Sequence, residues 1–125
     1  PAARARARQW LFAALNSVEP FVSQLAVLDL FYAEEEWARL RRPGLVDLVR
    51  QKVGVVSNAL GDKPYLDGER FTAGDLMMTT VLRDLDYPAM LSEDGRIAAY
   101  IERCMARPAF RRALDAQLGD FRKAA

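Results

Sequence analysis

At 125 residues, 51% hydrophobic and 28% charged, the chain is the size of one folded domain, spanning 1–125, and too apolar for a disordered segment. Lys and Arg number 18 against 17 Asp and Glu; a net charge of +1 gives no basis for binding nucleic acid or an anionic membrane. With no histidine and a single cysteine, Cys104, the chain has no imidazole metal ligand, no His-assisted nucleophile and no internal disulfide. A reducing, cytoplasmic compartment fits that cysteine usage. No EF-hand spacing and no phosphate-cradling glycine loop occurs. The apolar runs are read as too short for a membrane span, and the basic opening "PAARARAR" leads into an amphipathic pattern rather than a signal-peptide core.

The first helix is predicted from about Ala3 through "ARQWLFAALNSVEPFVSQLAVLDLFY". Trp10, Leu11, Leu15, Val18, Val22 and Leu25 recur on one face. Pro20 removes a hydrogen bond and crowds the preceding turn, so a kink or break is predicted just before it. "AEEEWARLRR" reads as a loop or short helix. The next helix is predicted to open with Pro43 in its first turn, to carry Leu45, Leu48, Val49, Val53, Val56 and Leu60 as its inner stripe, and to close at Gly61. "DKPYLDGER" follows as a loop, with Asp67-Gly68 as a plain turn rather than a hairpin.

In "RFTAGDLMMTTVL", Thr72 is placed to accept the N–H three residues on, and Asp75 to take the N–H of Thr72. This is a capping box with Asp in place of Glu, and Phe71 and Leu76 are spaced as its hydrophobic staple. Leu76 to Leu82 carry no charge, which predicts a helix buried on every face. "GRIAAYIERCMAR" places Ile97, Tyr100, Ile101, Cys104 and Met105 on one face. Pro108 then opens a last helix with Phe110, Ala113, Leu114 and Leu118 inward. The predicted fold is all-α, a five- to six-helix bundle around a buried central helix.

Three stretches resemble the C-terminal helical domain of glutathione S-transferases, in the family's order. "KPYLDGERFTAGDLMM" looks like the lead into the buried helix with its Ser/Thr-x-x-Asp box. "YIERCMARPAF" looks like the later two-helix junction, and "RQWLFAALNSVEPF" like the first helix of bacterial members. Gly74 departs from the family's usual alanine. The thioredoxin-like N-terminal domain, which supplies most glutathione contacts and the thiol-activating residue, has no counterpart. With a first residue other than methionine, the chain reads as a C-terminal half, inactive alone.

The resemblance implies glutathione as co-substrate, a small hydrophobic electrophile as its partner and a homodimer through the first two long helices; with no histidine and no EF-hand spacing, no metal is expected. By the same resemblance the first helix lines the electrophile pocket, with Phe12, Asn16 and Glu19 as candidate contacts sharing a face. Against that stands a plain reading: Phe12 in the core, Asn16 and Glu19 solvated. Thr72 and Asp75 read as structural. Met77, Met78 and Thr80 could reach a pocket, although methionine on such a helix more often fills core. Cys104 reads as an inert buried thiol. Tyr65, Tyr87 and Tyr100 are not candidates for thiol activation, a task of the other domain. Arg4, Arg6, Arg8, Arg39, Arg41 and Arg42 lie among Glu34, Glu35 and Glu36, a mixed solvated surface. The rival function is a non-catalytic assembly module on the same fold.

Overall fold

The computed structural model describes residues 1–86 and 89–124, and Tyr87 falls outside them. Among the described residues every regular element is helical, with no strand. Helix α1 (Ala2–Phe12) passes into a π-helical stretch, Ala13–Val18, and on into α2 (Glu19–Phe31). The break predicted before Pro20 is therefore a widened turn in which the Glu19 N–H reaches back to the Ala14 carbonyl. Pro20 then sits in the first turn of α2, where it needs no donor of its own. By length and composition the joined run Ala2–Phe31 would pass as a membrane span, contrary to the sequence reading. Ala14, Val18, Val22, Leu25 and Leu28 of this run are buried in the core, while Phe12, Val27, Leu30 and Phe31 are exposed.

Helix α3 runs from Glu36 to Leu60 without a break at Pro43, which corrects the expected start. The extra turns are held from outside the helix. Ala38 is fully buried, and Arg42 grips Asp29 of α2 with two hydrogen bonds of 2.7 and 2.8 Å. Pro43 lies on the exposed side, where water can serve the Arg39 carbonyl it leaves unpaired. Val46 joins the buried stripe and Leu48 leaves it, 42% exposed. Gly61 ends the helix as expected, at φ +57°, with its N–H on Ser57 O. Tyr65 and Gly68 exchange both backbone hydrogen bonds, at 3.0 and 3.1 Å, an isolated antiparallel bridge that closes a two-residue turn as in a hairpin, though without strands on either side.

Helix α4 (Ala73–Leu82) lies at the centre, against α1, the π-helical stretch, α2 and α5 (Gly95–Met105). Short 3₁₀ turns at Arg83–Asp86 and Leu91–Glu93 lead to Asp94, whose carboxylate caps α5 by accepting the N–H groups of Arg96 and Ile97. Ile97, Tyr100, Ile101 and Cys104 are all buried, and Met105 packs at the edge. Helix α6 (Pro108–Ala124) begins at Pro108 as predicted and rests on α5. Two expectations are corrected. Ala73, Leu76 and Thr80 of α4 face outward, so that helix is not covered all round. In α6, Phe110 and Leu114 are only half-buried, while Ala113 and Leu118 are exposed. Periodicity identifies an apolar face; it does not supply the element that covers it.

Gly74 has a reason the sequence alone did not reveal. A Cβ there would stand 2.4 Å from Trp10 Cβ and 3.3 Å from the Ala7 carbonyl, so α1 crosses α4 on bare backbone. Gly74→Ala is expected to destabilise the fold by about 1–3 kcal/mol, overpacking outweighing the ~0.5–1 kcal/mol of helix propensity that alanine brings. Urea unfolding checks this, and an unchanged or raised stability would contradict the close crossing.

Candidate functional site

The start of α4 is the most fully bonded point in the chain. The Thr72 hydroxyl accepts the Asp75 N–H, three residues on as predicted, and also the Gly74 N–H at 3.2 Å. One Asp75 carboxylate oxygen takes the Thr72 N–H at 2.8 Å and its hydroxyl at 3.1 Å, completing the capping box. The other takes the Leu66 N–H at 2.8 Å and the Tyr100 hydroxyl at 3.0 Å. Asp75 is fully buried, so four donors and the α4 N-terminus stand in for water around its charge. The capping box thus also joins the 65–68 turn and α5 to the central helix. Burial pushes the Tyr100 phenol far above its ordinary range, and the Asp75 charge adds to the shift. This tyrosine is a structural donor, a role the sequence reading, which placed it only on an apolar stripe, did not assign.

Phe71 does more than stand opposite Leu76 as a staple. Tyr65 meets its ring edge-on at 5.5 Å, and the Arg107 guanidinium lies over it at 3.5 Å. Phe71 and Leu76 both line a recess of about 380 Å³ between α4 and α6. Thr79, Thr80, Phe110 and Leu114 also border it, with Cys104 at its base. The Thr79 hydroxyl is buried and has no hydrogen-bond partner among the described residues, though it lies beside Tyr100 and Cys104. Burial likewise pushes the Cys104 thiol up, which fits an inert role. Met78 is fully buried core, Met77 is half-buried, and of the three residues weighed as pocket contacts Thr80 borders this recess. Sequence reasoning missed the recess; its one trace was the pair Thr79–Thr80 interrupting an otherwise apolar run.

The three candidate contacts of the first helix lie elsewhere. Phe12, Asn16 and Glu19 are all exposed, at the two ends and in the middle of the π-helical stretch. Phe12, 59% exposed, is therefore not core. A π-helical turn is rare and recurs at functional sites, because it breaks helix register to aim particular side chains. None of the three borders the α4–α6 recess. Among the described residues no cluster of His, Cys, Asp and Glu could hold a metal. Of the six arginines weighed as a basic surface, three are paired with carboxylates: Arg6 with Asp67, Arg39 with Glu34 and Arg42 with Asp29.

Comparison with known proteins agrees with this architecture. Residues 1–116 match the family described as "Glutathione S-transferase, C-terminal domain". The chain is 35% identical over 78 residues to glutathione S-transferase GstA of Escherichia coli O157:H7, covering 61% of this chain and 38% of that protein. Its fold superposes on the crystal structure of a glutathione S-transferase from Pseudomonas fluorescens [Pf-5] with a TM-score of 0.78 and 25% identity, over 86% of this chain and 54% of the other. The chain therefore spans well under two-thirds of either relative. The chain belongs to the glutathione S-transferase C-terminal domain family.

Proposed function

We propose that this chain is the substrate-facing C-terminal domain of a glutathione S-transferase, which joins the glutathione thiol to a small hydrophobic electrophile. The observation that carries this reading is the family match across residues 1–116. The thiolate forms and attacks in a preceding thioredoxin-like domain, and the helical domain supplies a wall that orients the electrophile and excludes water. Phe12 gives that wall an aromatic face, while Asn16 and Glu19 approach glutathione. Their common exposure around the π-helical turn supports this assignment. The full-length protein is expected to conjugate glutathione to an activated aryl halide, and the 125-residue chain is not. Failure of the full-length protein both to bind glutathione and to turn over would leave the assembly-module reading in its place.

Within the full-length protein, Asn16→Ala is expected to raise the KM for glutathione about five- to tenfold, the loss of roughly one hydrogen bond. Circular dichroism should stay unchanged. If single alanine substitutions at Phe12, Asn16 and Glu19 all leave KM for both substrates unaltered, this face is not the binding wall.

The protein acts as a homodimer in this reading, through α2 and α3. Trp37, Leu48 and Val55 are 52%, 42% and 61% exposed and share a face of α3, next to Val27 of α2 at 44%. Leu48→Glu should shift sedimentation from dimer to monomer at micromolar concentration, since a charge in an apolar interface is left without a partner. A wild-type protein that sediments as a monomer throughout that range would end the proposal.

A further inference from the structure

We propose that the Asp67–Gly68 bond is a site of spontaneous isomerisation that docked α1 holds shut, and that isoaspartate at residue 67 marks chains whose α1 has come away. The proposal is independent of the functional reading above. A glycine after an aspartate leaves the amide nitrogen free of a neighbouring side chain, so it can reach the aspartyl carboxyl carbon. The Gly68 nitrogen bonds to that carbon and gives up its proton, the carboxyl group gives up its hydroxyl, and the two leave as water, closing a five-membered succinimide. Water then adds at the main-chain carbonyl of residue 67 and breaks its bond to nitrogen. The chain now runs through the former side-chain carbonyl with its composition unchanged, and water is the sole co-reactant. In the folded protein both reacting groups are engaged. The Gly68 N–H donates to the Tyr65 carbonyl at 3.1 Å. The Asp67 side chain, 4% exposed, is bonded to Arg6 Nε and stands 3.6 Å from Arg70. Its bond to Arg6 holds the carboxyl below the usual range, and the ionised form does not readily expel water. Arg6 belongs to α1, which has no buried residue and is held in place by Trp10 against Gly74. An element held so lightly opens before the core does. Opening frees the carboxylate, and isoaspartate then prevents return: it lengthens the turn by one main-chain atom and shortens the arm that reached Arg6.

Peptide mapping by mass spectrometry of the 125-residue chain, held near neutral pH at 37 °C, tests this. Isoaspartate at residue 67 is expected to form at least about tenfold more slowly in the folded protein than in concentrated urea. Arg6→Ala should speed it at least about fivefold while circular dichroism stays unchanged, and Arg6→Lys should keep most of the protection. Arg8→Ala, an exposed position on the same helix, should leave the rate as it is. In low urea the wild-type product should appear in step with amide exchange of residues 5–12, ahead of that of residues 76–82. This last comparison decides the matter even where a variant fails to fold. Equal rates in folded and denatured protein, Arg6→Ala behaving like the wild type, Arg8→Ala matching Arg6→Ala, or product that tracks only residues 76–82 would overturn the proposal.

Discussion

Asp75→Ala is expected to cost about 3–5 kcal/mol, a large fraction of the ~5–15 kcal/mol that holds a domain folded. The carboxylate accepts four hydrogen bonds, and its removal affects the donors unequally. The Leu66 N–H and the Tyr100 hydroxyl sit where Leu66 is 3% exposed and Tyr100 is fully buried, so neither recovers a water. Each orphaned donor costs about 1–3 kcal/mol. The Thr72 groups are partly exposed and lose only a cap, ~1 kcal/mol. Asp75→Asn is milder, about 2–3 kcal/mol: one oxygen keeps its pair of donors while the new amide N–H₂ confronts the other pair. Tyr100→Phe alone removes one bond of the four, about 1–1.5 kcal/mol. The double variant Asp75→Ala/Tyr100→Phe should therefore be less unstable than the sum of the two, because the orphaned hydroxyl is gone. Urea unfolding of the four proteins measures this cycle. A loss under 1 kcal/mol for Asp75→Ala would mean that the turn, cap and α5 do not depend on this carboxylate.

What the sequence revealed about this fold was mostly what neighbouring residues decide among themselves. The box at Thr72 and Asp75, the end of α3 at Gly61 and the buried stripe of α5 all follow from short spacings, and all are present; ahead of Pro20 the helix widens without breaking. The failures have one cause, contacts between residues distant in the chain. Pro43 looked like a helix start because the cost of an interior proline is local. The compensation is not: Arg42 reaches across to Asp29 of another helix. Gly74 looked like a small defect until Trp10 was seen to occupy the space of its missing Cβ. The second partner of Asp75 was hidden for the same reason, since no spacing rule joins residue 75 to Tyr100. For the candidate site the limit is different. Phe12, Asn16 and Glu19 could be named because a family resemblance pointed to the first helix. The π-helical stretch around which they are exposed depends on backbone hydrogen bonds that no side-chain pattern encodes. The α4–α6 recess left almost no trace, because an apolar residue facing a groove and one facing a core look identical in a sequence.

The same joint between α4 and α5 predicts how the protein fails in alkali. Burial pushes the Tyr100 phenol well up, with the Asp75 charge adding to it, and burial also raises the Cys104 thiol. In the unfolded chain these groups ionise near their ordinary values, about 10 for tyrosine and about 8.5 for cysteine. Above those values the unfolded chain has released protons that the folded chain still holds, so folding stability falls as pH rises. The contribution is intact below about pH 8.5. Cys104 begins to erode it first, and from about pH 10 Tyr100 adds a further ~1.4 kcal/mol per pH unit. No relief comes within the accessible range, because a phenolate at that position would be a second buried anion 3.0 Å from the Asp75 carboxylate. Urea midpoints measured from pH 8 to pH 11.5 should therefore fall more steeply for the wild type than for Tyr100→Phe above pH 10. The two curves converge as pH rises, the variant starting lower through its lost hydrogen bond and ending near the wild type. Cys104→Ala should flatten the curve from about pH 8.5 upward and leave the added Tyr100 contribution above pH 10 in place. Parallel curves for wild type and Tyr100→Phe above pH 10 would show that this hydroxyl reaches solvent in the folded protein, and that Asp75 shares its charge with water after all.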